Sequence, residues 1–238
     1  MRAVSQDTAS VEESKRHALS RLYPWLSDPN YLILRGRRKL FQRWLAGVPG
    51  NGLRVLDIGG RVQPYRRLVE DRLSRYVAVD VKRSGVVDIV GMAEQLPLIS
   101  EAFDLVFCTC VLEYTTDPRA ALAEIHRVLK PGGVLLLSVS GFSPRFDEAE
   151  LWRFQPGAVR MLLAGFSKYE VVPEGTSVSG VIRCVSFFLV SAGKFELARR
   201  MLRYLVALPL NLLGSAIEAL ALTTNSQFSA NYSALAQK

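Results

Sequence analysis

Short apolar runs recur along the chain, each ended by glycine, proline or an acid, with stretches of helical periodicity between them. The clearest is 53–65, LRVLDIGGRVQPY, where an apolar run stops at Gly59-Gly60 and Pro64-Tyr65-Arg66-Arg67 follows. This pattern predicts a buried strand, a tight glycine turn and a helix start, because proline is tolerated in the first turn of a helix. Further strands are predicted over 76–80, 86–90, 103–110 and 134–139, with a helix over 117–129 and a Pro131-Gly132-Gly133 break before the last of them. Strands alternating with helices imply right-handed crossovers and a doubly wound α/β fold with a largely parallel sheet. In such a sheet small molecules bind at the carboxyl edge, where the glycine turn lies.

The flanks read differently. A helix over 11–22 is interrupted by Tyr23-Pro24-Trp25 and Asp28-Pro29. The next helix, capped by Asn30, carries Leu32, Leu34, Leu40, Phe41, Trp44 and Leu45 at apolar positions. Downstream come a helix near 156–163, a strand over 168–172, an apolar helical insertion over about 175–227, and a returning strand over 231–236. The expected organisation is an N-terminal helical extension, 1–48, followed by one domain, 49–238. A length of 238 residues suits one α/β domain with elaborations.

Composition changes this picture at two points. Hydrophobic residues make up 49% of the chain, which excludes wholesale disorder. Thirty Lys and Arg against 22 Asp and Glu give a net charge of +8, which points to an anionic neighbour such as lipid headgroups, nucleic acid or a phosphorylated substrate. Arg35, Arg37, Arg38, Lys39 and Arg43 share the second helix, either as a solvated basic face or as an anion-facing surface beside the site. Three cysteines without a C-x-x-C pair and only two histidines argue against a disulfide framework or structural zinc, and favour a reducing compartment. The N-terminus is charged through Arg21 and lacks an apolar signal core, so a cytoplasmic protein is expected.

Candidate chemistry centres on the glycine turn and Asp80. An acid closing the second strand sits beside a ligand over the first turn, and its two oxygens can accept both hydroxyls of a ribose. Cys108 and Cys110, two apart on a strand, should share one face as small core residues, and His126 reads as a packing residue. From Tyr204 to Ile217 the chain is free of charge, with Arg199, Arg200 and Arg203 before it and Glu218 after it. A membrane span needs about 20 apolar residues, so these helices either cap the sheet or attach to a membrane surface through 199–222.

The ordered set VLDIGG with PYR, YVAVD, AEQLP, FDLVF, VLEY, DP, EIHRVLKPGG and WRF, from Leu53 to about Val172, resembles the class I S-adenosylmethionine-dependent methyltransferases of the domain type 11 group. The resemblance implies a Rossmann-like, mostly parallel seven-stranded sheet and S-adenosyl-L-methionine as cofactor. It implies that Asp57, Gly59 and Gly60 shape the methionine end of the pocket, that Asp80 meets the ribose, that Met92 and Ala93 flank adenine, and that Cys108 and Thr109 lie beneath the transferable methyl. Trp152 and Arg153, in the WRF segment, fall on the acceptor side. Three positions depart from the group: Arg61 stands where a second glycine is usual and would crowd the cofactor unless it points outward with ordinary φ, Met92 replaces an aspartate, and Tyr114 replaces the histidine of VLEH.

The activated sulfonium leaves the protein chiefly to align a nucleophile and exclude water. An oxygen acceptor also benefits from a base, and Glu113, Tyr114 and Asp147 are the candidates. The resemblance points to a small-molecule or lipid-linked acceptor, either a glycan intermediate or a lipophilic metabolite. Two readings compete, a non-catalytic scaffold with the same fold and an RNA-directed methyltransferase. Nucleic acid is disfavoured, since the chain shows neither an aromatic-basic recognition motif nor an Asn-Pro-Pro-Tyr-like loop. A nicotinamide oxidoreductase needs a G-x-G-x-x-G turn that DIGGRVQ lacks.

Overall fold

The computed structural model describes residues 2–145, 147–220 and 225–238, with side chains from residue 10 onward. The strands are β1 (Leu53–Ile58), β2 (Leu73–Asp80), β3 (Ile89–Val90), β4 (Phe103–Thr109), β5 (Leu129–Ser140), β6 (Lys168–Pro173) and β7 (Asn231–Gln237). They form one sheet in the order β3-β2-β1-β4-β5-β7-β6, parallel except for β7, which runs antiparallel to both neighbours. This is the doubly wound, seven-stranded sheet expected from the sequence. β3 is shorter than predicted, and β5 begins at Leu129, so the Pro-Gly-Gly break lies inside the paired segment.

The core has two faces. Leu56, Ile58, Val106, Cys108, Leu135 and Leu137 point to one side, against Ala121, Leu122, Ile125 and Val128 of α3 (Pro118–Val128). Asp117 starts that helix, its carboxylate accepting from the backbone of Arg119 at 2.8 Å and of Ala120 at 3.2 Å, an N-cap with proline at the first position. The other face is covered by α2 (Tyr31–Ala46), whose Phe41 packs against Tyr65 at 4.7 Å and Phe107 at 6.0 Å between ring centroids. The N-terminal helix α1 spans Arg2–Leu22, longer than predicted.

Two expectations fail for identifiable reasons, and a third holds in part. The Pro64 segment forms only short 3₁₀ turns at Arg66–Leu68 and Glu70–Arg72. Side-chain anchors order it instead, with Tyr65 in the aromatic cluster and the Arg72 guanidinium donating to the carbonyls of Leu45, Val48 and Gly50. Asn30 does not cap α2, because its side-chain oxygen accepts from Arg183 Nε at 3.0 Å. The basic residues of α2 divide: Lys39 and Arg43 are solvated, whereas Arg37 is buried, Arg35 pairs with Glu218 at 2.5 Å, and Arg38 donates to Leu22 O at 3.1 Å.

The apolar insertion folds as α5 (Ser177–Ser191), α6 (Glu196–Leu202), a π-helical turn at Arg203–Ala207, and α7 (Leu208–Ala219), α4 being the earlier short helix Pro156–Leu162. Residues 221–224, including the end of the predicted 199–222 surface, lie outside the described residues. Glycines let these elements approach closely: a Cβ on Gly214 would strike Leu32 and Ile182, and one on Gly180 would strike the Phe228 carbonyl. No helix among the described residues is long and apolar enough to cross a membrane.

Candidate active site

The parallel register sets Ile58 beside Val79, so the turn after β1 and the end of β2 meet at the carboxyl edge. There the Val79 carbonyl accepts from the backbone of Gly59 at 2.8 Å and of Gly60 at 3.1 Å. Gly59 has φ +77, and a Cβ on it would strike Val111; one on Gly60 would lie 2.7 Å from the Asp57 carbonyl. Both positions therefore need glycine. Arg61 is exposed with ordinary φ, and the left-handed conformation falls instead on Gln63, at φ 56.

Asp57 is buried on the α2 side of the sheet and accepts from the Tyr76 hydroxyl at 2.7 Å. Burial pushes its carboxyl up to about 7; the Tyr76 hydrogen bond opposes this and the neighbouring Asp80 charge adds to it. Asp80 is half-buried, and its Oδ1 accepts from Lys82 N at 2.8 Å. Met92 is exposed and Ala93 is buried, joined to Gln95 by a tight turn in which Gln95 N donates to Met92 O. Cys108 is wholly buried in the core, so only its backbone can face a ligand, while Thr109 is half-buried at the end of β4.

The acceptor-side candidates separate. Glu113 is buried beside β5, its Oε1 accepting from Ser140 N at 2.5 Å and its Oε2 without a partner. Burial raises its carboxyl, against hydrogen bonds that lower it. Tyr114 donates to Glu150 at 3.1 Å, and burial together with that carboxylate holds its phenol well above the ordinary range. Asp147 Oδ1 is engaged with Ala149 N at 3.0 Å in an exposed turn. Trp152 donates to Thr115 O at 2.8 Å, and Arg153 pairs with Glu150, fastening the WRF segment to the loop after β4.

A buried polar cluster under α2 was not foreseen. Arg37 Nε donates to Glu174 Oε1 at 2.7 Å, and the hydroxyls of Ser138 and Ser233 donate to the same oxygen. Gly36 makes this possible, since a Cβ there would strike the Glu174 carbonyl. Burial alone lowers the Arg37 guanidinium, but Cys110, Glu174 and Tyr65 together raise it well above its ordinary value. The Cys110 thiol is itself pushed up by burial, against the Arg37 charge that lowers it. Cys110 does not share a face with Cys108: at φ 54 the chain leaves the strand, and Cys110 Sγ lies 3.5 Å from the Arg37 guanidinium. One signal was available, because Arg37 falls four residues after Ile33 and four before Phe41, on the buried stripe.

A seven-stranded sheet with antiparallel β7 and a glycine turn facing an acid across β1 and β2 is the architecture of the class I S-adenosylmethionine-dependent methyltransferases, and the chain has that fold. More narrowly, residues 56–137 match the family described as methyltransferase domain. A malonyl-[acyl-carrier protein] O-methyltransferase from Serratia marcescens is 31% identical over 113 residues, 43% of this chain and 44% of that protein. The ubiquinone/menaquinone biosynthesis C-methyltransferase UbiE of Vibrio campbellii is 30% identical over 143 residues, 51% and 54% of the two chains. The chain thus spans about half the length of these relatives. The solved structure of a sarcosine dimethylglycine methyltransferase from Galdieria sulphuraria, so named as a provisional assignment, shares the fold with a TM-score of 0.53 at 14% identity, over 86% of this chain and 88% of that one.

Proposed function

We propose that the chain transfers a methyl group from S-adenosylmethionine to a small-molecule or lipid-linked acceptor. The observation that carries this reading is the meeting of the two-glycine turn with Asp80 at one sheet edge. S-adenosylmethionine supplies a methyl group already activated on a sulfonium. Asp80 accepts the ribose hydroxyls; Asp57, Gly59 and Gly60 bound the methionine end; Met92 and Ala93 flank the adenine; and Thr109, with the backbone of Cys108, floors the methyl. Glu113, buried with one unpartnered oxygen, takes the proton of an oxygen acceptor as the methyl–sulfur bond breaks and the methyl–acceptor bond forms. Trp152 and Arg153 border the acceptor.

Relatives named for an acyl-carrier-linked substrate and for quinone biosynthesis support a lipophilic or carrier-linked acceptor. The membrane contact through 199–222, at the cytoplasmic face, belongs to the same reading, and residues 1–48 act as one unit with 49–238. The test is incubation with methyl-labelled S-adenosylmethionine and fractionated metabolite extracts. Label is expected in a lipid-soluble or carrier-linked fraction, with S-adenosylhomocysteine formed in equal amount; no label in any fraction contradicts the reading.

A further inference from the structure

Trp25, Ser27, Arg200, Arg203 and Tyr204 line a surface hollow of about 300 Å³. Trp25 and Ser27 come from the loop between α1 and α2, the others from α6 and the π-helical turn, so the hollow joins segments far apart in sequence. It contains two guanidiniums and no acid among its lining residues. Asp28 borders an adjoining hollow that shares Trp25, Ser27 and Arg203, and its carboxylate accepts from Asn30 N at 2.7 Å. Its aromatic lining is open to solvent: Trp25 is 79% exposed and Tyr204 56%. Large apolar side chains left exposed together in this way mark an interaction surface.

We propose that this hollow receives the phosphate of an anionic phospholipid headgroup at a bilayer surface. The inference rests on the membrane contact proposed above for 199–222, and adds to it a headgroup site and residues outside that segment. Arginine's planar fork matches phosphate geometry. Tryptophan and tyrosine settle at headgroup level, where one part of the ring is dry and the other wet. Leu197 and Met201 on the helix of Arg200, and Leu205 on the turn of Arg203, are exposed and supply apolar area for the boundary beneath, and the net charge of +8 draws the chain towards an anionic leaflet. A soluble phosphate would explain the arginines and leave the exposed Trp25 and Tyr204 without a role.

The test is flotation of the full chain with phosphatidylcholine vesicles, with and without phosphatidylglycerol. The anionic vesicles should bind more tightly, and Arg200→Ala/Arg203→Ala should lose about 30-fold of that affinity, at roughly five-fold per arginine near the surface. The pair Arg200→Lys/Arg203→Lys, which keeps the charge and loses the fork, should fall between the wild type and the alanine pair, and unfolding of both pairs at the wild-type temperature guards against a folding artefact. Brominated lipid should quench tryptophan fluorescence in the wild type and much less in Trp25→Phe. If the alanine pair floats with anionic vesicles as the wild type does, the headgroup site is overturned while the broader membrane contact stands. If neither vesicle binds the wild type, both are overturned. If inorganic phosphate raises the melting temperature of the wild type but not of the alanine pair, while vesicles bind both alike, the hollow serves soluble phosphate and the lipid assignment fails.

Discussion

Asp57 and Glu174 are both buried carboxylates on the α2 side of the sheet, and they are held in opposite ways. Glu174 carries its own counter-charge, with Arg37 and two serine hydroxyls converging on one oxygen. Asp57 has the Tyr76 hydroxyl and, among the described residues, no ion pair, so burial pushes its carboxyl up to about 7. The first arrangement ties α2 to the far strands through one carboxylate oxygen, the other, Oε2, being buried without a partner. The second sits beside the glycine turn with no cation among the described residues to offset its burial. A cation beside a buried carboxylate offsets the cost of its burial, and without one the neutral form is favoured.

The sharpest way to break the comparison is to remove the cation from the paired carboxylate. Arg37→Ala should destabilise the chain by about 3–5 kcal/mol in urea unfolding, the usual cost of stranding a buried charge. Arg37→Met/Glu174→Gln should recover much of that loss. A cost below about 1 kcal/mol for Arg37→Ala would mean that Glu174 does not depend on its partner. Asp57 should show the opposite behaviour, through pH. Its folded form holds a proton up to about 7 whereas an unfolded aspartate releases it near 3.8. The folded state therefore binds more protons between those values, and stability from this group is full below the lower value and falls as pH rises through the upper one. The loss is of order 4 kcal/mol at most, and Asp57→Asn should flatten the slope measured by denaturation across that range. Smallest is Tyr76→Phe, which removes the hydroxyl that stabilises the charged Asp57. It should cost about 1 kcal/mol at neutral pH and move the Asp57 titration, followed by carbon NMR of the carboxyl, to higher pH.

The strands were legible because each apolar run is punctuated by glycine, proline or an acid, and β1, β4 and β5 are buried on both faces. The meeting of Gly59, Gly60 and Asp80 was legible for the same reason: in a parallel sheet adjacent strands end together, and the register of Ile58 with Val79 brings them side by side. What escaped depends on contacts between distant residues. The Pro64 segment has a helix-start sequence, yet its order comes from Tyr65 and Arg72 reaching to other elements. Asn30 has a cap's side chain that Arg183 claims. Arg37 was assigned to a charged face because its partner, Glu174, lies on the far side of the chain, and Cys110 was assigned to the face of Cys108 because its positive φ is invisible to a period-two count. The turn arginine, Arg61, was expected to crowd the pocket unless it points outward with ordinary φ; its φ is ordinary and its side chain exposed.

The central claim, that the glycine edge binds S-adenosylmethionine through Asp80, is tested most directly by calorimetric titration of S-adenosylhomocysteine into the wild type and Asp80→Ala. The account predicts one site on the wild type and a loss of about ten-fold to a hundred-fold in Asp80→Ala, corresponding to roughly 1.5–3 kcal/mol for a charge-assisted hydrogen bond, with unfolding of the variant unchanged. Equal affinities for the two proteins, or no binding to the wild type at millimolar ligand, would contradict it.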